Sequence, residues 1–329
     1  MKAENCFADS RNLCETEGGN KMDKGKLLFS GYTGNGEEIL LMEWTPEGLV
    51  KKTGVRHGGN PSFCCRWQDR LYAVSELAEG AAVVSYDLRG DTLSPLGKIS
   101  LPGRKALCHL TAVDGVIFGS CYGSGHYFAV DADLTRVLWE FLPSGTPRAH
   151  WVQPLGDGIC LADLGNSRLY RFPLSGGVPQ GEAQVISLPE GSGPRQPIPL
   201  SDGGFAVVCE LDGMLRLFDK EGGCVQTIPA SGTGKENAPG GGCVAGDVLF
   251  VGNRGPNTVS AFRLTKDGAV LAGEWETGNW PRHLAFVGED LLFAACQREN
   301  SVWQYRWDGT ALTKQAEYPL HQASCVLAL

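Results

Sequence analysis

Apolar residues in this chain come in short runs bounded by Gly, Pro, Asn and Asp, and segment 278–307, GNWPRHLAFVGEDLLFAACQRENSVWQYRW, shows the pattern in full. After a Gly- and Pro-containing entry, His283 to Val287 is apolar, Gly288-Glu289-Asp290 is a turn signal, and Leu291 to Cys296 is apolar again. A polar break at Gln297 to Asn300 then leads into the alternating segment Ser301 to Trp307. Short strands separated by turn residues predict an antiparallel meander. One meander cannot bury both of its faces, so it needs neighbours of its own kind.

The unit recurs along the whole chain. Its second strand returns as LLFSGYT from Leu27, LYAVSE from Leu71, VIFGSCY from Val116, ICLADLG from Ile159, FAVVCEL from Phe205, LFVGNRG from Leu249 and LLFAACQ from Leu291. Its third strand returns as ILLMEW, VVSYDL, YFAVDA, RLYRFPL, LRLFDK, VSAFRL and VWQYRW, beginning at Ile39, Val83, Tyr127, Arg168, Leu215, Val259 and Val302. Successive copies lie roughly 41 to 47 residues apart, the period of four-stranded propeller blades.

First strands begin near Pro61, Leu107, Arg148, Arg195, Gly240 and Arg282, one short of seven, and HQASCVLAL from His321 supplies the missing copy. The expected fold is therefore all-β: a seven-bladed β-propeller of four-stranded antiparallel blades over 25–329. The C-terminal strand is expected to close the ring as the innermost strand of the N-terminal blade, which removes an exposed sheet edge. Residues 1–24 are polar, lie outside the repeat, and are expected to form a flexible extension, with Met22 an alternative start.

Composition sharpens this picture. Forty-five glycines and eighteen prolines suit an all-β chain rich in tight turns. With 29 Lys and Arg against 37 Asp and Glu, the net charge of -8 argues against nucleic acid or an anionic membrane as partner. Several of the twelve cysteines sit inside apolar strands and no CxxC pair occurs, so buried free thiols in the cytoplasm are expected. No apolar run approaches the ~20 residues of a membrane span. The oligomeric state is expected to be a monomer or a weak homodimer.

Innermost strands line a propeller's channel, so residues at their starts should ring one mouth. The recurring Pro-Arg places Arg148, Arg195 and Arg282 there. The ends of the second strands should turn Glu76, Tyr122, Asp163, Glu210, Arg254 and Gln297, with Asn253 beside them, toward the same funnel. Converging guanidiniums need acids or a bound anion to offset their repulsion, which suggests a phosphate or carboxylate site. The competing reading is that each Arg ties blades together through an acid such as Glu76 or Glu210. His150 and His283 lie close after two of the arginines and are further candidates. No GxSxG elbow, Walker loop or HExxH occurs, and no metal-ligand cluster or cofactor signature is apparent.

The motifs GYTG at Gly31, NPS at Asn60 with LYAVSE, Cys121-Tyr122-Gly123, PRAH with ADLG, GPR with CEL, NRG, and PRHLAF with Gln297 resemble, in order and spacing, the seven-bladed lactonase family of the 6-phosphogluconolactonase type. The resemblance spans Lys26 to Leu329. It departs from the family pattern at Arg148, Gln196 and Ser167. It implies a cytoplasmic hydrolase that opens a phosphorylated sugar lactone, 6-phosphoglucono-1,5-lactone, in the pentose phosphate pathway; the missing motifs lead to the expectation that it works without metal or cofactor. The catalytic set is then Glu210, His150, Arg195, Arg282 and His283: Glu210 or His150 as base, Arg195 and Arg282 as oxyanion donors. Arg254 with Arg148 would clamp the phosphate, and Glu76, Tyr122, Asp163, Asn253 and Gln297 would bind substrate. A noncatalytic propeller that binds a protein or a sugar-like ligand is the alternative.

Overall fold

A computed structural model describes residues 25–45 and 48–329; the expected extension over 1–24 lies outside the described residues. The described chain is built of strands alone, arranged as seven antiparallel sheets. Six have four strands, and the blade-four sheet gains a fifth where Val178–Pro179 and Gln184–Ser187 both pair with Arg168–Ser175. The inner strands are Cys64–Trp67, Leu107–Val113, Ala149–Leu155, Pro194–Pro199, Ala238–Ala245, Pro281–Val287 and Ala323–Ala328. Each packs on the next, and the last packs on both Pro281–Val287 and Cys64–Trp67, so the ring is closed.

Closure falls where the sequence predicts it. Ala323–Ala328 pairs antiparallel with Leu27–Gly31, making the chain's last strand the innermost strand of blade one. The core is not one cluster but seven, one in each seam between adjacent blades. Successive side chains of a second strand point into opposite seams: Leu27 and Phe29 pack toward blade seven, Leu28 toward blade two. Both faces are dry, so these strands read as continuous apolar runs rather than alternating ones.

The ten described cysteines are all free, and eight of them are buried. No described helix is long and apolar enough to cross a membrane.

Candidate functional site

Near the start of the inner strand, six blades carry a β-bulge that leaves a residue without a ladder partner. The unpaired residues are Ser324 in blade one, Cys108 in three, His150 in four, Arg195 in five, Gly240 and Gly241 in six, and Arg282 in seven. A bulge re-aims its side chain relative to the regular alternation. In blade two, Ser62 takes the corresponding place just before the inner strand.

Contacts across the seams show that these residues meet. Arg195 Nε donates to the Gly240 carbonyl, Ser324 Oγ to the Ser62 carbonyl at 2.9 Å, and Cys108 Sγ to the His150 carbonyl at 3.4 Å. Blade six needs glycine here, because a Cβ on Gly240 would lie 2.2 Å from the Pro281 carbonyl oxygen.

A second set of side chains comes from the ends of the second strands. The amides of Tyr32, Glu76, Tyr122, Leu164, Glu210 and Gln297 donate to the carbonyls of Gln322, Asn60, Ala106, Arg148, Gly193 and Trp280, each two residues before the bulge position. Arg254 holds this place in blade six. Two ionic clusters result.

In the first cluster, Glu210 Oε2 accepts from Arg195 Nη1 at 2.5 Å and pairs with Arg254 Nη2 at 2.9 Å. Arg254 also donates to the carbonyls of Ala238, at 2.6 Å, and Pro239, at 3.1 Å. Burial would raise the Glu210 pKa, but the Arg195 and Arg254 charges outweigh it and hold the carboxyl below its usual range. Burial and the Arg195 charge press Arg254 downward to about 9, and its contact with Glu210 keeps it ionised.

In the second cluster, Glu76 Oε2 accepts from Tyr32 Oη at 2.7 Å and from Ser62 Oγ, with Arg282 Nη2 3.8 Å away. Arg282 lies 5.3 Å over the Tyr32 ring. Its one hydrogen bond among the described residues is a 3.4 Å contact from Nη1 to Gln297 Oε1, so most of its donors are uncommitted. Burial opposes its charge, but the nearby carboxylates, Glu76 foremost, help hold it ionised. Burial, reinforced by Glu76 against the pull of Arg282, raises the Tyr32 phenol, so its hydroxyl stays protonated and donates.

His150 and Cys108 complete the mouth. Burial, then the Arg195 and Arg282 charges, depress the His150 pKa well below normal and keep the ring neutral, with a buried Nδ1 that has no partner among the described residues. Burial and the Glu76 carboxylate push the Cys108 thiol up to about 12, so it remains protonated.

Several expectations need correction. Asp163 and Asn253 each sit one residue before the mouth-facing position, and strand alternation turns them away. Asp163 is fully buried and accepts from Arg148 N, Asn166 N and Asn166 Nδ2, a turn acceptor. Asn253 is fully buried among Asn237, Thr258, Ser260 and Glu274. The mouth-facing residue of blade four is instead the apolar Leu164.

Arg148 is not the equivalent of Arg195 and Arg282; His150 is. Pro147-Arg148 matches the other Pro-Arg pairs in sequence but lies two residues earlier in the ladder, so the Arg148 guanidinium rests 5.1 Å over Tyr122. His283 follows its bulge and faces the interior, where its Nδ1 accepts from Val326 N of the next blade at 3.3 Å. With Phe63, His109 and Trp151 it forms an aromatic plug, with ring centroids 3.7 to 6.4 Å apart, that closes the channel below the mouth. Tyr32 and Ser62, absent from the sequence-derived set, join it. Tyr32 could have been found as the blade-one copy of the position held by Glu76 and Glu210.

These features define a closed seven-bladed propeller whose channel is plugged below one arginine-rich, acid-balanced mouth. Residues 26–328 match the family described as Lactonase, 7-bladed beta-propeller, and the chain belongs to that family. The protein YwcC of Lactococcus lactis, itself uncharacterised, is 22% identical over 93% of this chain and 100% of its own length. Two solved structures share the fold. A putative 6-phosphogluconolactonase from Bacteroides fragilis has TM-score 0.86 and 21% identity, covering 95% of this chain and 100% of that one. The periplasmic gluconolactonase of Pseudomonas aeruginosa has TM-score 0.81 and 20% identity, covering 92% and 98%.

Proposed function

We propose that this protein hydrolyses a sugar lactone to its hydroxy acid at the channel mouth, with a phosphorylated aldonolactone as substrate and the pentose phosphate pathway in the cytoplasm as its setting. One observation carries the reading: Arg282 presents uncommitted donors beside a carboxylate, Glu76, whose Oε2 is anchored by two hydroxyls while Oε1 has no hydrogen bond among the described residues.

A lactone carbonyl needs a general base for water and donors for the developing oxyanion. Glu76 Oε1 takes a proton from water as the new C–O bond forms, and Arg282 receives the oxyanion. The ring C–O bond then breaks, and the departing oxygen takes up a proton to become a hydroxyl. This shifts the base from Glu210, whose carboxylate bridges two guanidiniums, to Glu76. Arg195 contributes positive potential. Membership of the lactonase family supports the reaction class.

The test is hydrolysis of 6-phosphoglucono-1,5-lactone and glucono-1,5-lactone by purified protein, followed against the spontaneous rate. Rates above buffer that fall in Arg282→Ala support the reading. Rates equal to buffer for both would replace it with a noncatalytic binding role.

A further inference from the structure

Beside the mouth, on the same face, an open cavity of about 500 Å³ occupies the seam between blades seven and one, lined by Trp280, Gln297, Arg298, Asn300, His321 and Gln322. Its volume falls within the roughly 300–1,000 Å³ of small-molecule sites. Gln297 belongs to both depressions, since its Oε1 accepts from Arg282 at 3.4 Å.

The wall is built at some conformational cost. Trp280 has φ 67°, a region that bulky side chains rarely occupy and that marks strain held in place by its surroundings. Here the Trp280 amide donates to Asn257 Oδ1 at 3.0 Å and its carbonyl accepts from Gln297 N at 3.0 Å. The indole is thereby held between two guanidiniums, Arg254 at 5.3 Å and Arg298 at 3.4 Å from the ring centroid.

Arg298 is thus laid flat on an aromatic plane, and its guanidinium makes no hydrogen bond or ion pair with any described residue. The adjacent acid, Glu299, makes no ion pair with it among the described residues; its Oε2 accepts from the Asn279 amide at 3.1 Å. No carboxylate lines the cavity. On the opposite side the His321 ring packs on Gly34, where a Cβ would lie 2.6 Å from the ring. Gln322 is fixed through its amide to Asn300 Oδ1 at 3.0 Å.

A preorganised, unpaired guanidinium in a cavity of amides and an imidazole is suited to a phosphoryl group on a polyhydroxylated chain. By contrast Arg254, expected from sequence to clamp the phosphate, already serves two carbonyls and Glu210.

We infer that this cavity is a tail subsite: Arg298, held on Trp280, binds a phosphomonoester at the end of the substrate remote from the carbonyl attacked at Arg282. The inference builds on the lactonase reading but is tested separately from it. Arg298 is exposed, so Arg298→Gln should fold normally.

Titration calorimetry of 6-phosphogluconate, gluconate and inorganic phosphate into wild-type protein and Arg298→Gln is the primary experiment. We expect 6-phosphogluconate to bind more tightly than gluconate, and Arg298→Gln to weaken it by roughly ten- to a hundredfold, the loss expected for one charge-assisted contact. Inorganic phosphate binding as tightly as 6-phosphogluconate would overturn a substrate subsite in favour of a free-phosphate site. Binding indifferent to Arg298, or none, would overturn the proposal outright. In kinetics, the ratio of kcat/KM for the phosphorylated over the unphosphorylated lactone should fall by the same factor; loss of both together would also count against it. If neither lactone is hydrolysed, the lactonase reading fails while calorimetry still decides the subsite.

Discussion

Glu210 is the acid that allows the guanidiniums of Arg195 and Arg254 to share the mouth, and replacing it with Gln tests that role directly. The substitution keeps the shape and removes the charge, leaving Arg195 and Arg254, each about 5% exposed, facing one another without their common partner. Removing one member of a buried ion pair costs about 3–5 kcal/mol, and the partial exposure of Glu210 places this case near about 3 kcal/mol. With an unfolding entropy of about 2.1 cal/mol/K per residue over some 300 residues, that lowers Tm by about 5 °C. Calorimetric melts at neutral pH measure it. The pH dependence supplies a second check. The Glu210 pKa is depressed in the folded state, so its stabilisation is complete above the pKa of an unfolded carboxyl and is lost as pH falls through the folded value. The Tm gap between wild type and Glu210→Gln should therefore close in acid. A variant melting within about 1 °C of wild type at neutral pH, or a gap that ignores pH, would refute the shared-counter-ion argument.

Three further outcomes are expected. Arg282→Ala should lower kcat/KM for the lactone by about 10²–10³, the usual loss of an oxyanion donor, with a small change in Tm; wild-type turnover would remove Arg282 from the chemistry. Glu76→Gln should lower kcat by about 10²–10⁴ with little change in KM, whereas wild-type turnover would return the base to Glu210 or His150. Burial first, and nearby positive charge second, lower His57 and His283 to about 4 and depress His109 and His150 well below 6.5. The unfolded chain then binds more protons than the folded one between the two sets of values, so urea midpoints should decline steadily as pH drops below 6.5; a flat response down to pH about 4 would show that these imidazoles are not buried neutral.

The repeat was legible in the sequence because every second strand is buried on both faces, so runs such as Leu27-Leu28-Phe29 and Leu71 to Val74 stand out without any knowledge of register. Ring closure was legible for the same reason: counting strands left one place empty and one strand over. The mouth was harder to read, because membership there depends on single-residue parity. Cys209-Glu210, Asp163-Leu164 and Asn253-Arg254 occupy the same two ladder positions, and only the second of each pair faces the channel. A chemically attractive Asp163 or Asn253 therefore draws the eye to the wrong member.

The bulges add a second obstacle, since they re-aim inner-strand side chains without leaving a mark that composition or hydropathy reveals. That is why Pro147-Arg148 passes for a copy of Pro194-Arg195, although the ladder aligns Arg195 with His150. Once bulge and parity are fixed, the two residue sets at the mouth sort themselves by charge. Blades five to seven contribute Arg195, Arg254 and Arg282, Glu210 bridges the first two, and the remaining guanidinium meets Glu76 only at 3.8 Å. The imperfectly satisfied cation at Arg282, next to a carboxylate held by Tyr32 and Ser62, is where a structural ring of ion pairs stops being purely structural. A fold that needed these groups only to tie its blades together would have closed that last pair as tightly as the first two.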